Sequence, residues 1–134
     1  MKNWLFVYGL LCCSAVLSYA SSHHPQEFLS QVKGNQQEGA LVYEHFCSSC
    51  HALEPLIALG APRKGQSQDW LLRLQQPVAT LLQHTEEGLN AMPPRGGCFE
   101  CSDEQLILAL LYMLPEKEQK KWSLDIKDHK KTIK

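Results

Sequence analysis

The five residues Cys47-Ser48-Ser49-Cys50-His51 constrain this chain more than any other feature. Two cysteines separated by two residues place their sulfurs on one turn of backbone, and a histidine follows at once. Cys-x-x-Cys-His is the attachment signature of a c-type haem. Each thiol can add to one vinyl group of a porphyrin. The imidazole of His51 then lies under the ring, where it can bind iron. The metal needs one further ligand or keeps an open position, and the remaining sequence has to answer which.

Cys-x-x-Cys alone also suits a redox dithiol or half of a zinc site. The chain holds a second pair, Cys98-Phe99-Glu100-Cys101, so a four-cysteine zinc site is the competing reading. Zinc ribbons commonly separate their pairs by about 15–20 residues. Here 47 residues of largely helical pattern lie between Cys50 and Cys98. The compartment also weighs against reduced thiols. Lys2, the apolar run from Trp4 to Leu17 and the small residues of Ser18-Tyr19-Ala20 read as a secretory signal over residues 1–20. That run is short of the about 20 residues a spanning helix needs; an uncleaved anchor is the alternative. Cys12 and Cys13 then leave with the signal. In an exported protein Cys98 and Cys101 tend to oxidise to a disulfide. Ser102 rather than histidine follows them, so this pair is no second haem motif.

The 134 residues suit one domain, and a formal charge of −1 argues against a nucleic-acid binder. No nucleotide loop, Ser-His-Asp pattern or His-Glu-x-x-His motif is present. Residues 21–34 read as a flexible arm with a short helix over about Phe28–Val32, His23 and His24 being solvated. Asn35 can cap a helix running from about Gln36 into the haem motif. Gly39, Val42, Tyr43 and Phe46 share one face of it, where glycine admits another helix closely. His45 lies off that face, at the surface. Ser67 can cap a helix over about Gln68–Gln75. Pro77 suits the first turn of the next, Val78–Glu87, and Gly88 suits its end. His84 on that helix is a ligand candidate, although exposure is the commoner state for such a residue. Met92 is the candidate sixth ligand, and Pro93-Pro94 stiffen the backbone after it. Ser102 and Gln105 form a capping box for a helix from Asp103 to Leu114. Leu106 to Leu114 is apolar throughout, which predicts a helix covered on all sides.

From about Gln37 to Leu114 the sequence resembles the class I c-type cytochromes, and within them the bacterial cytochrome c5 group. The resemblance rests on the Cys47–His51 motif, Gly60-Ala61-Pro62, Trp70, the stretch Gly88-Leu89-Asn90-Ala91-Met92-Pro93-Pro94, and Gly96-Gly97-Cys98 with Cys101-Ser102-Asp103-Glu104. It implies an all-α fold, a small helical bundle over residues 35–114 wrapped around one covalently attached haem c. It implies thioethers at Cys47 and Cys50, axial ligands His51 and Met92, and a Pro62 carbonyl bonded to the ligand histidine. It also implies a Cys98–Cys101 disulfide. Trp70, with Arg73, is a candidate for holding the haem propionates.

The function implied is that of a periplasmic electron carrier in a respiratory chain, not an enzyme. Its partners would be a donor and an acceptor such as a terminal oxidase. They would be met transiently and near the membrane, by a monomer or weak dimer. The rim around Met92 and Arg95 is a candidate docking zone. Two alternatives stand beside it: a fixed haem subunit of a larger respiratory complex, or a peroxidase or gas sensor if Met92 is labile. Beyond the resemblance, residues 115–134 form an extension with seven lysines that runs through the apolar residues Trp122, Leu124 and Ile126. These three are expected to fold back over the outer face of the last domain helix, in competition with a solvated tail, a dimer contact or a membrane contact.

Overall fold

The computed structural model describes residues 24–132, and the expected signal segment lies outside them. Among the described residues every regular element is helical. The arm carries a helix, α1 (Pro25–Val32), with proline at its first turn and Leu29 and Val32 buried. Gln105 holds it in place by donating from Nε2 to the Leu29 carbonyl at 3.0 Å. The chain then reverses at Gly34, whose N–H donates to the Glu38 carboxylate at 2.7 Å. The cap expected at Asn35 is not one: the helix begins at Glu38 with Gln37 at its N-cap position and no side-chain cap, and Asn35 instead accepts the Gln37 N–H at 2.8 Å in the turn before it.

The next helical run has three parts: α2 (Glu38–Val42), a π-helical turn (Tyr43–Cys47) and α3 (Ser48–His51). In the wide turn the Ser48 N–H reaches back five residues to the Tyr43 carbonyl. Such turns concentrate at functional sites, and this one ends on the first cysteine of the haem motif.

α6 (Asp103–Met113) begins at the expected capping box, with Gln105 N bonded to Ser102 Oγ and Ser102 N bonded to Gln105 Oε1. Among the described residues, α2 and α6 make the largest helix–helix contact. Gly39 is the reason they can. A Cβ there would collide with the Leu108 carbonyl, its carbon lying 2.7 Å from the position. Beside this crossing the Tyr43 ring meets Tyr112 edge-on, 5.4 Å between centroids. Burial, then Glu44, Cys47 and Tyr112, pushes the Tyr43 phenol up to about 12.

The helix expected over Gln68–Gln75 is shorter and does not use Ser67 as its cap. One turn, α4 (Ser67–Trp70), starts at Ser67 itself with no side-chain cap, and a 3-10 turn follows at Arg73–Gln75. Tertiary bonds override the local pattern here, because Asp69 and Trp70 are both committed to Arg63. α5 (Val78–Glu87) runs as predicted between Pro77 and Gly88.

The C-terminal extension forms a helix, α7 (Glu116–Thr132), packed against α5 and α6. Trp122 is 3% exposed and Ile126 is equally buried. Leu124 departs from expectation and stays half-exposed. Trp122 and Ile126 are four apart and share a face, whereas a residue two positions on from Trp122 points elsewhere. No described helix is long and apolar enough to cross a membrane.

Candidate haem site

His51 ends α3 and is buried. Its Nδ1 donates to the Pro62 carbonyl at 2.8 Å, which assigns the proton to that nitrogen because a carbonyl can only accept. The other ring nitrogen is thereby left as the basic one, the arrangement in which a second-shell acceptor orients a metal-binding imidazole. Burial lowers the His51 pKa, against the opposing hydrogen bond to Pro62 and with a smaller push from Arg73. The neutral imidazole, the ligating form, is favoured.

The segment from Pro62 to Gly65 is bonded at each residue. Arg63 donates to Asp69 through its backbone and guanidinium, at 3.1 Å from N and 2.7 Å from Nε to Oδ2. These bonds hold the Asp69 carboxyl down at about 2. The Arg63 carbonyl accepts Trp70 Nε1–H at 3.0 Å. Lys64 N–H donates to the His51 carbonyl at 2.7 Å, and Gly65 N–H to the Met113 carbonyl at 2.8 Å. The Lys64 ammonium sits 4.2 Å over the Tyr112 ring.

Cys47 and Cys50 are free thiols beside a cavity that Phe46, Pro62, Trp70, Leu81, Met92 and Leu110 also line. Burial, then Cys50, pushes the Cys47 thiol up to about 11. Met92 enters the lining from a tight turn in which Leu89 and Met92 exchange backbone bonds of 2.9 and 3.1 Å, with Asn90 in the left-handed region at φ 55°. Gly88 makes room for the turn: a Cβ there would come within 2.5 Å of the Met92 carbonyl oxygen. Cys98 and Cys101 form a disulfide. Among the described residues no group of three His, Cys, Asp or Glu side chains is placed to hold a metal. The two cysteine pairs therefore do not make the four-cysteine zinc site.

These features fit a haem. Two free thiols stand one turn apart, an oriented neutral imidazole follows them, and a thioether reaches the same largely apolar cavity from another segment. Trp70, expected to help hold the propionates, lines the cavity, but its N–H is bonded to Arg63 and is not available to a propionate. Arg73 lines the cavity too, with Nη1 bonded to the Asp69 carbonyl. Arg95 lines the cavity with Met92, but its charge is committed within the protein. Its guanidinium turns inward to the Cys101 carbonyl at 2.6 Å and Asp103 at 2.9 Å, with Glu86 at 3.5 Å. It ties the Met92 loop to the disulfide and to the ends of α5 and α6.

The histidines separate clearly. His45 stacks on Phe28 with centroids 4.2 Å apart and lies outside the cavity lining, while His84 is part of it. The contribution of α6 was not legible, since Leu106, Ala109, Leu110 and Met113 look from sequence like uniform core yet line the cavity.

The family model described as cytochrome c oxidase, cbb3-type, subunit III matches residues 34–113. Cytochrome c5 of Azotobacter vinelandii is 37% identical over 79 residues, spanning 58% of this chain and 92% of that protein. The chain belongs to the c-type cytochromes, in the cytochrome c5 family. Cytochrome c5 of Ectopseudomonas mendocina is 34% identical over 82 residues, covering 60% of this chain and 90% of the relative. Cytochrome c-555 of Prosthecochloris aestuarii is 34% identical over 86 residues, covering 58% and 84%. No solved structure gives a significant match. As a c5-family cytochrome the protein binds haem c covalently, with iron, and transfers electrons to redox partners without being an enzyme. The family match ends where α6 ends, so α7 lies beyond it.

Proposed function

We propose that this cytochrome is an exported, periplasmic carrier in a respiratory chain. In this reading Cys47 and Cys50 hold the haem by thioethers, and His51 and Met92 fill both axial positions. The group supplies one-electron chemistry between ferrous and ferric iron, and Met/His ligation raises its potential. The protein's part is to fix both ligands in an apolar surround so that little rearranges when charge changes. The observation that carries the reading is the His51–Pro62 hydrogen bond at 2.8 Å, with Lys64 and Gly65 bonded to the His51 and Met113 carbonyls just after it. The pinned Leu89–Met92 turn supports the second ligand. The apolar signal-like segment over residues 1–20 supports export.

Absorption spectra of the oxidised protein and Met92→Ala test the ligation. A far-red sulfur-to-iron band is expected in the wild type and not in the variant. A spectrum unchanged by the substitution removes Met92 from the iron.

One observation fits a second reading as well, a subunit held in a larger respiratory complex. Leu56 is 90% exposed, and Leu53, Ile57 and Leu59 around it are about half-exposed, beside the cavity wall formed by Leu59–Pro62. A patch of this kind suits either brief docking or a permanent interface. Gel filtration of the native assembly separates the two, a free carrier eluting at the size of the single chain.

A further inference from the structure

α7 carries a feature that neither the haem site nor the packing of the domain uses. Lys117, Lys120, Lys121, Leu124, Lys127 and Lys131 recur at helical spacing and are all exposed. They lie on the side away from buried Trp122 and Ile126. Lys117, Lys120, Lys121 and Lys127 make no ion pair with any described residue; Lys131 meets Asp128 at 3.3 Å in an exposed pair of little strength. The other tail cation, Lys130, turns to Glu104 at 2.8 Å and stands off this face. The charge is concentrated here. Residues 116–132 hold six lysines against four acids, while residues 24–115 hold five cations against ten acids.

We infer that the outward face of α7 binds an anionic lipid surface and sets the orientation of the molecule on it. Four arguments carry this. First, the rest of the described chain is acidic and repelled by an anionic plane, so the molecule can approach only with α7 leading. Second, the 17-residue helix presents its cations along about 25 Å of straight axis, which matches a flat charge distribution better than a single pocket. Third, every cation of the face is lysine. Lysine acts as a strongly hydrated point charge, whereas arginine is the residue for forked recognition of one carboxylate or phosphate. Fourth, Leu124 is half-exposed, with Lys120, Lys121 and Lys127 beside it and Asp128 paired to Lys131, where it can enter the headgroup region once the charges have brought the helix down.

The placement leaves the redox site open. Leu81 and His84 of α5 line the haem cavity, while Ala79, Leu82 and Gln83 border the groove against His129 and Lys130 of α7. α5 thus stands between α7 and the cavity. A cytochrome lying on α7 keeps its haem side free for a partner.

The test is co-sedimentation of the purified holoprotein with vesicles of pure phosphatidylcholine and of equimolar phosphatidylcholine and phosphatidylglycerol. Expected is salt-sensitive binding to the mixed vesicles alone. Each Lys→Gln change at 117, 120, 121 and 127 should weaken it about fivefold. Leu124→Ala should weaken it with little change in salt dependence. The haem spectrum and melting temperature of each variant report that the fold is intact. The pure phosphatidylcholine arm reads any binding through the apolar run at residues 4–17, which salt does not weaken. Equal binding by the fourfold lysine variant and the wild type overturns the inference. So does absence of binding to mixed vesicles at low salt, which would leave the face to an acidic protein.

Discussion

His51 is bonded twice to one loop: its Nδ1–H to the Pro62 carbonyl at 2.8 Å, and its own carbonyl to the Lys64 N–H at 2.7 Å. Side chain and backbone are gripped by residues two apart, so the imidazole plane is set by the loop rather than by rotamer preference. What stiffens the loop therefore stiffens the imidazole.

Trp70→Phe weakens one of those stiffeners. It removes the Nε1–H bond to the Arg63 carbonyl together with part of the buried indole, and leaves one aromatic ring in the cavity wall. Stability should fall by more than the about 1 kcal/mol of the bond alone, because a cavity is left as well, with haem still covalently attached. A denaturant melt beside the wild type checks it, and an unchanged midpoint would show that the bond does not hold the loop.

Asp69→Asn addresses the same loop through pH. The carboxyl is held at about 2 against an ordinary 3.8. A depressed carboxylate contributes stability that is full above its unfolded value and fades as pH falls toward the folded one. Wild type should therefore melt higher than the variant at neutral pH, and the gap should close between about pH 4 and 2. A gap independent of pH across that window would assign the difference to something other than the Arg63 pair.

Gly39→Ala should be among the most damaging small substitutions in the chain. The added methyl meets backbone of α6, not the end of a flexible side chain. The two helices must separate, at a cost of about 1–3 kcal/mol or more. Circular dichroism melts read this directly, and a variant as stable as the wild type would mean that the crossing is looser than described.

Trp122→Ala tests whether α7 belongs to the folded unit. Emptying a site that is 3% exposed should cost about 3–5 kcal/mol. Deleting residues from Pro115 onward should lower the melting temperature for the same reason. No change in either would make α7 an independent appendage.

The sequence exposed the parts of this protein whose signals are local. Cys47, Cys50 and His51 are adjacent, the capping box is four residues long, and Pro77 and Gly88 bracket one helix. Gly39 was readable because a glycine on an apolar helical face has few other uses. What stayed hidden depends on distant partners. Nothing near Arg95 says that its guanidinium will turn inward to the Cys101 carbonyl. Gln105 is visible as a cap, but not as the donor that fastens α1. Ser67 carried a correct local preference that the Arg63 bonds overrode. Leu124 was grouped with Trp122 and Ile126 by composition, when their spacing already set it apart.

The wide turn at Tyr43–Cys47 lets one continuous stretch serve two masters. Upstream, Gly39 and Val42 answer to the shape of α6; downstream, Cys47, Cys50 and His51 answer to the cavity they line. A regular helix would lock these two attitudes together, so that any change in the crossing would rotate the cysteines with it. The extra residue acts as a coupling with slack, and each half can drift over evolution without dragging the other out of alignment.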